Sequence, residues 1–207
     1  MFDSTWDPAI TDPEALAGSL TVAGAPAPLY FVSPGQINFQ IPYETVSNAP
    51  VPVVISQGSQ VSNAITLNMA RVSPGLFSTN QQGSGQGAIR IAGGATIAAP
   101  MGAFPESRPV KAGDVIEIYC TGLGSVSPNG ITGGAASAMN LQTTISQPSV
   151  TIGGKTGIVL FSGLAPGVAG LYQVDVQIPQ GVTPGDAVPL VLTILGVQSN
   201  TVTIAVQ

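Results

Sequence analysis

Histidine is absent from the 207-residue chain, and cysteine occurs once, at Cys120. The first absence removes Ser-His-Asp and Cys-His catalysis, His-ligated zinc, and haem on a proximal His. The second removes an internal disulfide and any cysteine-cluster metal site. Charge is scarce too: 7% of the residues are Asp, Glu, Lys or Arg, against about 25% in ordinary globular chains. It leans negative, with 10 acidic residues against 5 basic ones and a net of -5. Such a surface repels phosphate backbones and excludes nucleic acid as a partner. Few charges leave few acid–base groups, so the composition argues against most enzymes and points to no cofactor. No apolar run reaches the roughly 18 residues of a membrane-spanning helix. The opening Met1-Phe2-Asp3-Ser4-Thr5-Trp6-Asp7 is acidic and carries no signal-peptide pattern. The chain reads as cytosolic, as a mature secreted form or as an excised piece. Its wealth of Thr, Ser, Gly, Gln and Asn favours an extracellular or cell-surface protein.

What is present is a 44% hydrophobic content punctuated by 26 Gly and 18 Pro. Apolar residues come in short alternating runs: Gln36 to Pro42, Ala64 to Met69, Asp114 to Cys120, Tyr172 to Ile178 and Thr201 to Val206. Alternation with period two between turn signals is the mark of half-buried strands. Only Asp12 to Ala17 offers a helical turn, with Asp12 as N-cap and Pro13 at the first helical position. The expected fold class is therefore all-β, built as antiparallel β-sandwiches.

The chain also repeats itself. Gln36 to Met69 aligns without a gap on Gln173 to Val206. Gln36, Gln40, Ile41 and Pro42 match Gln173, Gln177, Ile178 and Pro179. Val51, Pro52 and Val54 match Val188, Pro189 and Val191, and Ser62, Asn63 and Thr66 match Ser199, Asn200 and Thr203. Upstream, Leu20-Thr21-Val22-Ala23-Gly24 pairs with Val150-Thr151-Ile152-Gly153-Gly154, an insertion near Ser162 to Gly167 absorbing the shift. One β module thus occurs twice. The second copy has strands of its own ahead of the repeat, at Gly87 to Ile91 and Asp114 to Thr121. The stretch ahead of Leu20 has little β signal. The expected organisation is two immunoglobulin-like modules, the first lacking its early strands. Residues 1–19 form an N-terminal extension and candidate strand donor. Residues 20–72 form the incomplete module, 73–86 a linker and 87–207 the complete module. An incomplete sandwich implies an open β edge and an exposed apolar face.

Several blocks resemble a known family. They are Ala27-Pro28-Leu29-Tyr30-Phe31-Val32-Ser33-Pro34-Gly35-Gln36-Ile37-Asn38, Ser73-Pro74-Gly75-Leu76-Phe77 with Gly85-Gln86-Gly87-Ala88, and Ile118-Tyr119-Cys120-Thr121-Gly122-Leu123-Gly124. A fourth is Gly163-Leu164-Ala165-Pro166-Gly167 with Gly170-Leu171-Tyr172-Gln173-Val174. Together they resemble the uncharacterised C-terminal domain of secreted proteins from Solibacter-type acidobacteria. The resemblance implies tandem immunoglobulin-like, TIG-type modules at the ends of large extracellular proteins, and no activity or catalytic residue. Members of that family carry a Pro-Gly and Gly-Thr-Gly-Leu strand block ahead of the first module, for which no counterpart stands before Leu20 here.

The candidate sites mostly have bland readings. Gly83-Ser84-Gly85-Gln86-Gly87 lacks the strand, helix and Lys-Ser/Thr of a phosphate loop and reads as a connector or turn. Asp3, Asp7, Asp12 and Glu14 fit no calcium loop spacing. Cys120 reads as a buried small hydrophobe. Asp114 and Glu117, three apart, point to opposite faces of a strand and form no carboxylate pair. Tyr30, Phe31, Phe39, Phe161 and Tyr172 read as core or cross-strand aromatics. Lys111 and Lys155 have no assignable isopeptide partner. The candidate interaction residues are Trp6, in a polar terminus, and Gln36, Asn38 and Gln40 on the expected open edge. The expectation is a non-catalytic extracellular structural or adhesive module, assembling into a filament or oligomer by strand complementation with its own kind or a neighbouring module. A carbohydrate-binding module, with a glycan as partner, is the alternative.

Overall fold

The computed structural model describes residues 18–33, 35–45 and 49–207. The chain is all-β: among the described residues there is no helix, and the sheets are built from antiparallel pairs. Trp6 and the helical turn expected over Asp12 to Ala17 lie outside the described residues, as do Asp3, Asp7 and Glu14. The chain divides into two compact units. The first holds the described residues up to Ala70 with Gly130–Ala135, and the second holds Arg71–Asn129 with Ala136–Gln207.

The first unit contains β1 (Ser19–Val22), β2 (Ala25–Pro26), β3 (Leu29–Ser33), β4 (Gln36–Phe39), β5 (Val51–Gln57), β6 (Gln60–Val61) and β7 (Ile65–Leu67). One sheet runs β2-β1-β5-β6, with β7 also on β5, and β3 and β4 form a two-stranded sheet of their own. Leu20, Val22, Ala27 and Val51 are buried at its centre. Half-buried Leu29, Ile37 and Phe39 of the hairpin and Val53, Ile55 and Leu67 of the sheet pack against them.

The second unit contains β8 (Gly75–Leu76), β9 (Ile89–Ile91), β10 (Val115–Thr121), β11 (Val126–Ser127), β12 (Thr143–Thr144) and β13 (Ser149–Ile152). After these come β14 (Lys155–Thr156), β15 (Ile158–Leu164), β16 (Tyr172–Gln177), β17 (Gly185–Ile194), β18 (Val197–Gln198) and β19 (Val202–Val206). One sheet runs β11-β12-β15-β16-β10-β8 with β9 on β10. The other runs β14-β13-β17-β18 with β19 on β17. Alternate residues of β10 and β16 (Ile116, Ile118, Val174, Val176) and of β13, β17 and β19 (Val150, Ile152, Leu190, Leu192, Ile204) are fully buried. The period-two pattern of the sequence is this burial.

The duplicated sequence folds twice in one register. Leu20 pairs with Ile55 and Val22 with Val53, as Val150 pairs with Leu192 and Ile152 with Leu190. Val51, Pro52 and Val53 face Leu67, Thr66 and Ile65, as Val188, Pro189 and Leu190 face Ile204, Thr203 and Val202. Even the irregularity repeats: the ladder slips between Leu29 and Phe31 in one hairpin and between Val159 and Phe161 in the other. Ser62 Oγ accepts from Ile55 N at 3.0 Å, and Ser199 Oγ accepts from Leu192 N at 3.0 Å. The β1–β2 turn shows how sequence and backbone trade. Both turn residues are left-handed, Ala23 at φ 54° and Gly24 at φ 82°, and the second unit has glycines at both places, Gly153 at 55° and Gly154 at 77°. A turn with two positive φ values matches the twist of a two-residue hairpin.

Residues 73–86, expected as a linker, are packed. Gly75 and Leu76 pair with Thr121 and Cys120 of β10, and Ser78 bridges to Gly87. The Asn200 side chain accepts from Leu76 N (2.7 Å) and donates to Leu76 O (2.9 Å) and Gly83 O (2.6 Å). A long-range side-chain clamp of this kind gives no local sequence signal. Gly130–Ala135, expected inside the second module, groups with the first unit.

Candidate functional site

The two hairpins β3–β4 and β15–β16 are copies, but their outer edges differ. β16 lies between β15 and β10, whereas β4 pairs with β3 alone among the described residues. In the second unit Ile116, Glu117 and Ile118 of β10 face Val176, Asp175 and Val174. The matching residues of β4 are Phe39, Asn38 and Ile37, and no described strand faces them. Among the described residues, the backbone N–H and C=O groups of this edge therefore have no ladder partner.

Beneath this edge lies an apolar groove of about 440 Å³, lined by Leu20, Ile37, Phe39, Val53, Ile55 and Leu67 with Ser33, Gly35, Gln36 and Ile65 at its margin. Ile65 is 66% exposed while Val202, its counterpart, is 0% exposed. In the second unit, Gly87 N donates to Thr203 O (2.8 Å) and Thr203 N to Gly85 O (2.7 Å), so residues 85–87 lie along the outer edge of β19.

Gln36 and Asn38 are exposed on β4, and Gln36 Nε2 donates to Asn38 Oδ1 at 2.7 Å. The second unit repeats the contact, Gln173 Nε2 to Asp175 Oδ1 at 2.8 Å. Gln40 behaves otherwise. It is 8% exposed, and its Oε1 accepts from Tyr30 Oη (3.0 Å) and from Gly133 N (2.9 Å). Its side chain is thus spent inside the first unit, on the 130–135 segment, and is not offered outward. The same segment supplies Thr132, whose hydroxyl accepts from Tyr43 N (3.0 Å) and donates to Glu44 (2.6 Å). That last bond holds the Glu44 carboxyl below its ordinary range. Burial pushes the Tyr30 and Tyr43 hydroxyls up, Tyr43 further by its nearness to Tyr30.

Two aromatics expected in the core are not there. Tyr30 is 45% and Phe31 38% exposed, whereas Tyr172 is buried. Phe31 lies opposite exposed Asn38, on the outer face where alternation puts it, and the ladder slip at Tyr30 takes that side chain out of alternation. Reasoning from sequence also missed Ile37, Phe39 and Asn63 as edge residues. The signal was the repeat itself, which sets them opposite the buried Val174 and Val176 and the clamp residue Asn200.

The remaining candidates are absorbed by the fold. Thr79 N donates to Gln86 O (2.9 Å) and Gly83 N to Ser78 Oγ (2.8 Å), making the Gly83–Gly87 stretch a closed turn. Cys120 is fully buried, and burial pushes its thiol up to about 12. Asp114 bonds Arg108 at 2.9 Å, and Glu117 accepts from Tyr119 Oη at 3.2 Å. Lys111 and Lys155 are exposed. Among the described residues no group of three or more His, Cys, Asp or Glu is placed to hold a metal ion. Among them, too, no helix is long and apolar enough to cross a membrane.

The fold and its edge define the class: an all-β chain carrying one motif twice, once with its hairpin edge covered and once with that edge unpaired among the described residues. Comparison with protein-family models, with curated proteins and with solved structures finds no match to the chain.

Proposed function

We propose that the chain is a non-catalytic structural or adhesive module of the cell exterior, joined to its neighbours by β-strand addition at β4. On this reading both units are immunoglobulin-like sandwiches of the acidobacterial C-terminal domain type, the first short of its early strands. The carrying observation is the contrast between β16, paired on both sides, and β4, paired with β3 alone among the described residues. Strand addition suits such an edge, since main-chain hydrogen bonds supply affinity and alternate side chains supply specificity. Low charge and a β-rich repeat fit an extracellular role.

The test uses a labelled peptide copying Asp114–Thr121, the segment that covers the equivalent edge in the second unit. The full chain is expected to bind it, and Ile37→Pro to abolish binding. The Ile37 N–H turns away from β3, so proline there removes an edge donor and spares the hairpin. A chain that neither captures the peptide nor associates with itself, and whose Gln36 to Ile41 amides are already protected from exchange as a monomer, overturns the reading.

Exposure of Tyr30 and Phe31 side by side favours a second reading, a carbohydrate-binding face, because neighbouring aromatics give sugars a stacking platform. Glycan binding lost in Tyr30→Ala or Phe31→Ala supports it. An array with no glycan bound removes it.

A further inference from the structure

We infer that two copies of this chain pair through β4, antiparallel about a two-fold axis passing beside Asn38. The inference rests on the strand-addition reading above and names the strand that is added. The second unit supplies the template. Directly opposite residues of an antiparallel pair share one face, and β10 sets Ile116 and Ile118 opposite Val176 and Val174 on the inner face. An occupant of β4 must likewise set apolar side chains opposite Phe39 and Ile37. β4 itself meets this requirement. With Asn38 opposite Asn38 of the second copy, Ile37 faces Phe39 of the second copy and Phe39 faces Ile37 of the second copy. Those side chains then cover the groove beneath β4 as Ile116 and Ile118 cover the inner face of β16.

The backbone phase agrees. Gln40 N donates to Pro28 O at 2.9 Å, so by the alternation of an antiparallel ladder Gln36, Asn38 and Gln40 turn their backbone groups to β3. Ile37 and Phe39 turn theirs to the open edge. In the second unit the same phase is occupied: Ile178 N donates to Asp114 O at 2.8 Å. The two Ile37–Phe39 pairs of the dimer therefore exchange N–H···O bonds, and the central Asn38 pair is of the closer, non-hydrogen-bonded kind.

Charge favours a second copy as the occupant. Glu44 is the one charged residue between positions 18 and 70. Edge strands are commonly blunted by lysine, proline or inward charge, and β4 has none of these. A neutral edge meets its own copy without repulsion. The equivalent pair in the second unit sets Glu117 against Asp175, and Arg90 of β9 stands opposite Glu117 to offset them. Burial, then the Glu117 charge, raises the Asp175 carboxyl. Because each copy fills the other's edge, the pairing closes at two and does not grow into a fibre.

Cysteine cross-linking of the full chain tests this register. Asn38 Cα atoms of the two copies are expected about 4.5 Å apart, within the roughly 4.4–6.8 Å that a disulfide spans. Gln36 Cα atoms fall roughly 13 Å apart, four residues along the ladder. Under mild oxidation Asn38→Cys is expected to form a covalent dimer at least about tenfold faster than Gln36→Cys. The buried Cys120 does not compete. Light scattering of the unmodified chain is expected to give the mass of a dimer. Asn38→Asp, which installs the residue of the second unit with no arginine beside it, is expected to weaken the dimer at least about tenfold at neutral pH. Acid that protonates the carboxylate is expected to restore it. A monomeric wild type, or association with no preference for Asn38→Cys, overturns the two-fold pairing. Capture of the Asp114–Thr121 peptide then tells the two readings apart. With capture, only the second-copy partner is lost; without it, strand addition at β4 falls as well.

Discussion

Ile55 and Leu192 occupy one position of one motif, with one strand partner and one serine bond, yet Leu192 is fully buried and Ile55 only half. The same holds for Ile37 against Val174, and Ile65 is exposed where Val202 is fully buried. Register and turn chemistry are local to the repeat and survive in both units. Burial is not local, because it depends on the strands laid over the motif: β8, β9 and β10, with residues 85–87 beside β19. A β motif of this kind specifies its own pairing but not its own core, and a second layer of chain has to complete it.

The sharpest way to break the comparison is a charge at one shared position. Val174→Asp buries a carboxylate at a site with no exposure and is expected to cost the second unit more than about 4 kcal/mol. Ile37→Asp, at a half-buried edge, is expected to cost the fold of the single chain about 1 kcal/mol or less, its loss of β4 pairing being kept out of the comparison by working at concentrations where the chain is monomeric. Urea unfolding followed by circular dichroism measures both. The Cys120 thiol gives a second readout for Val174→Asp. Raised to about 12 by burial, it is expected to react with disulfide reagents at neutral pH only when the second unit opens. Equal costs at the two positions contradict the contrast.

The asparagine pair comes next. Asn200 makes three bonds to Leu76 and Gly83, and Asn200→Ala leaves those backbone groups short of partners. A loss of about 2 kcal/mol in the second unit is expected. Asn63→Ala, at the exposed counterpart, is expected to stay within about 0.5 kcal/mol. The turn is smaller still. Ala23 holds φ 54° where the second unit has Gly153 at 55°, so Ala23→Gly is expected to stabilise the first unit by about 0.5–1 kcal/mol and Gly153→Ala to destabilise the second by more than that, since its Cβ would also meet Val188 at 3.0 Å and Val182 at 3.1 Å. Chemical denaturation of the two pairs, read side by side, sharpens the comparison.

Acid acts on the second unit through Asp114. Burial works to raise this carboxyl, but the Arg108 guanidinium at 2.9 Å, the Lys111 N–H and both positive charges together hold it below the ordinary carboxylate range. A folded value below the unfolded one means the stabilisation is present above the unfolded value and is lost as pH falls through the folded one. Asp114→Asn is expected to flatten that acid limb in urea titrations taken at a series of pH values. An unchanged slope removes the pair from the account.

Much of this was readable in advance. Matching Gln36, Val51 and Ser62 to Gln173, Val188 and Ser199 shows that both units share one strand pattern, and their ladders agree because a period-two strand admits no one-residue slip without turning its apolar side to water. The strands at Gly87 to Ile91 and Asp114 to Thr121 announced themselves by composition. Residues 73–86 did not, since Gly75 and Leu76 are a two-residue strand held by a side chain more than a hundred positions away. The sequence places Gln40 with Gln36 and Asn38 on the open edge, but its side chain is buried and bonded to Tyr30 and Gly133, which no spacing rule connects to it. Tyr30 is out of the core because the ladder slips at it, and Phe31 because it faces exposed Asn38.

Alternation, turn residues and repetition are properties of neighbours along the chain, and so the sequence by itself determined that this protein is all-β and that one motif, with one strand and turn pattern, occurs twice. Which copy is covered, which asparagine becomes a clamp and which glutamine is consumed inside were decided by segments far apart in the chain. Only the tertiary structure brings those together, because burial and long-range hydrogen bonds depend on what lies across the fold and not on what comes next.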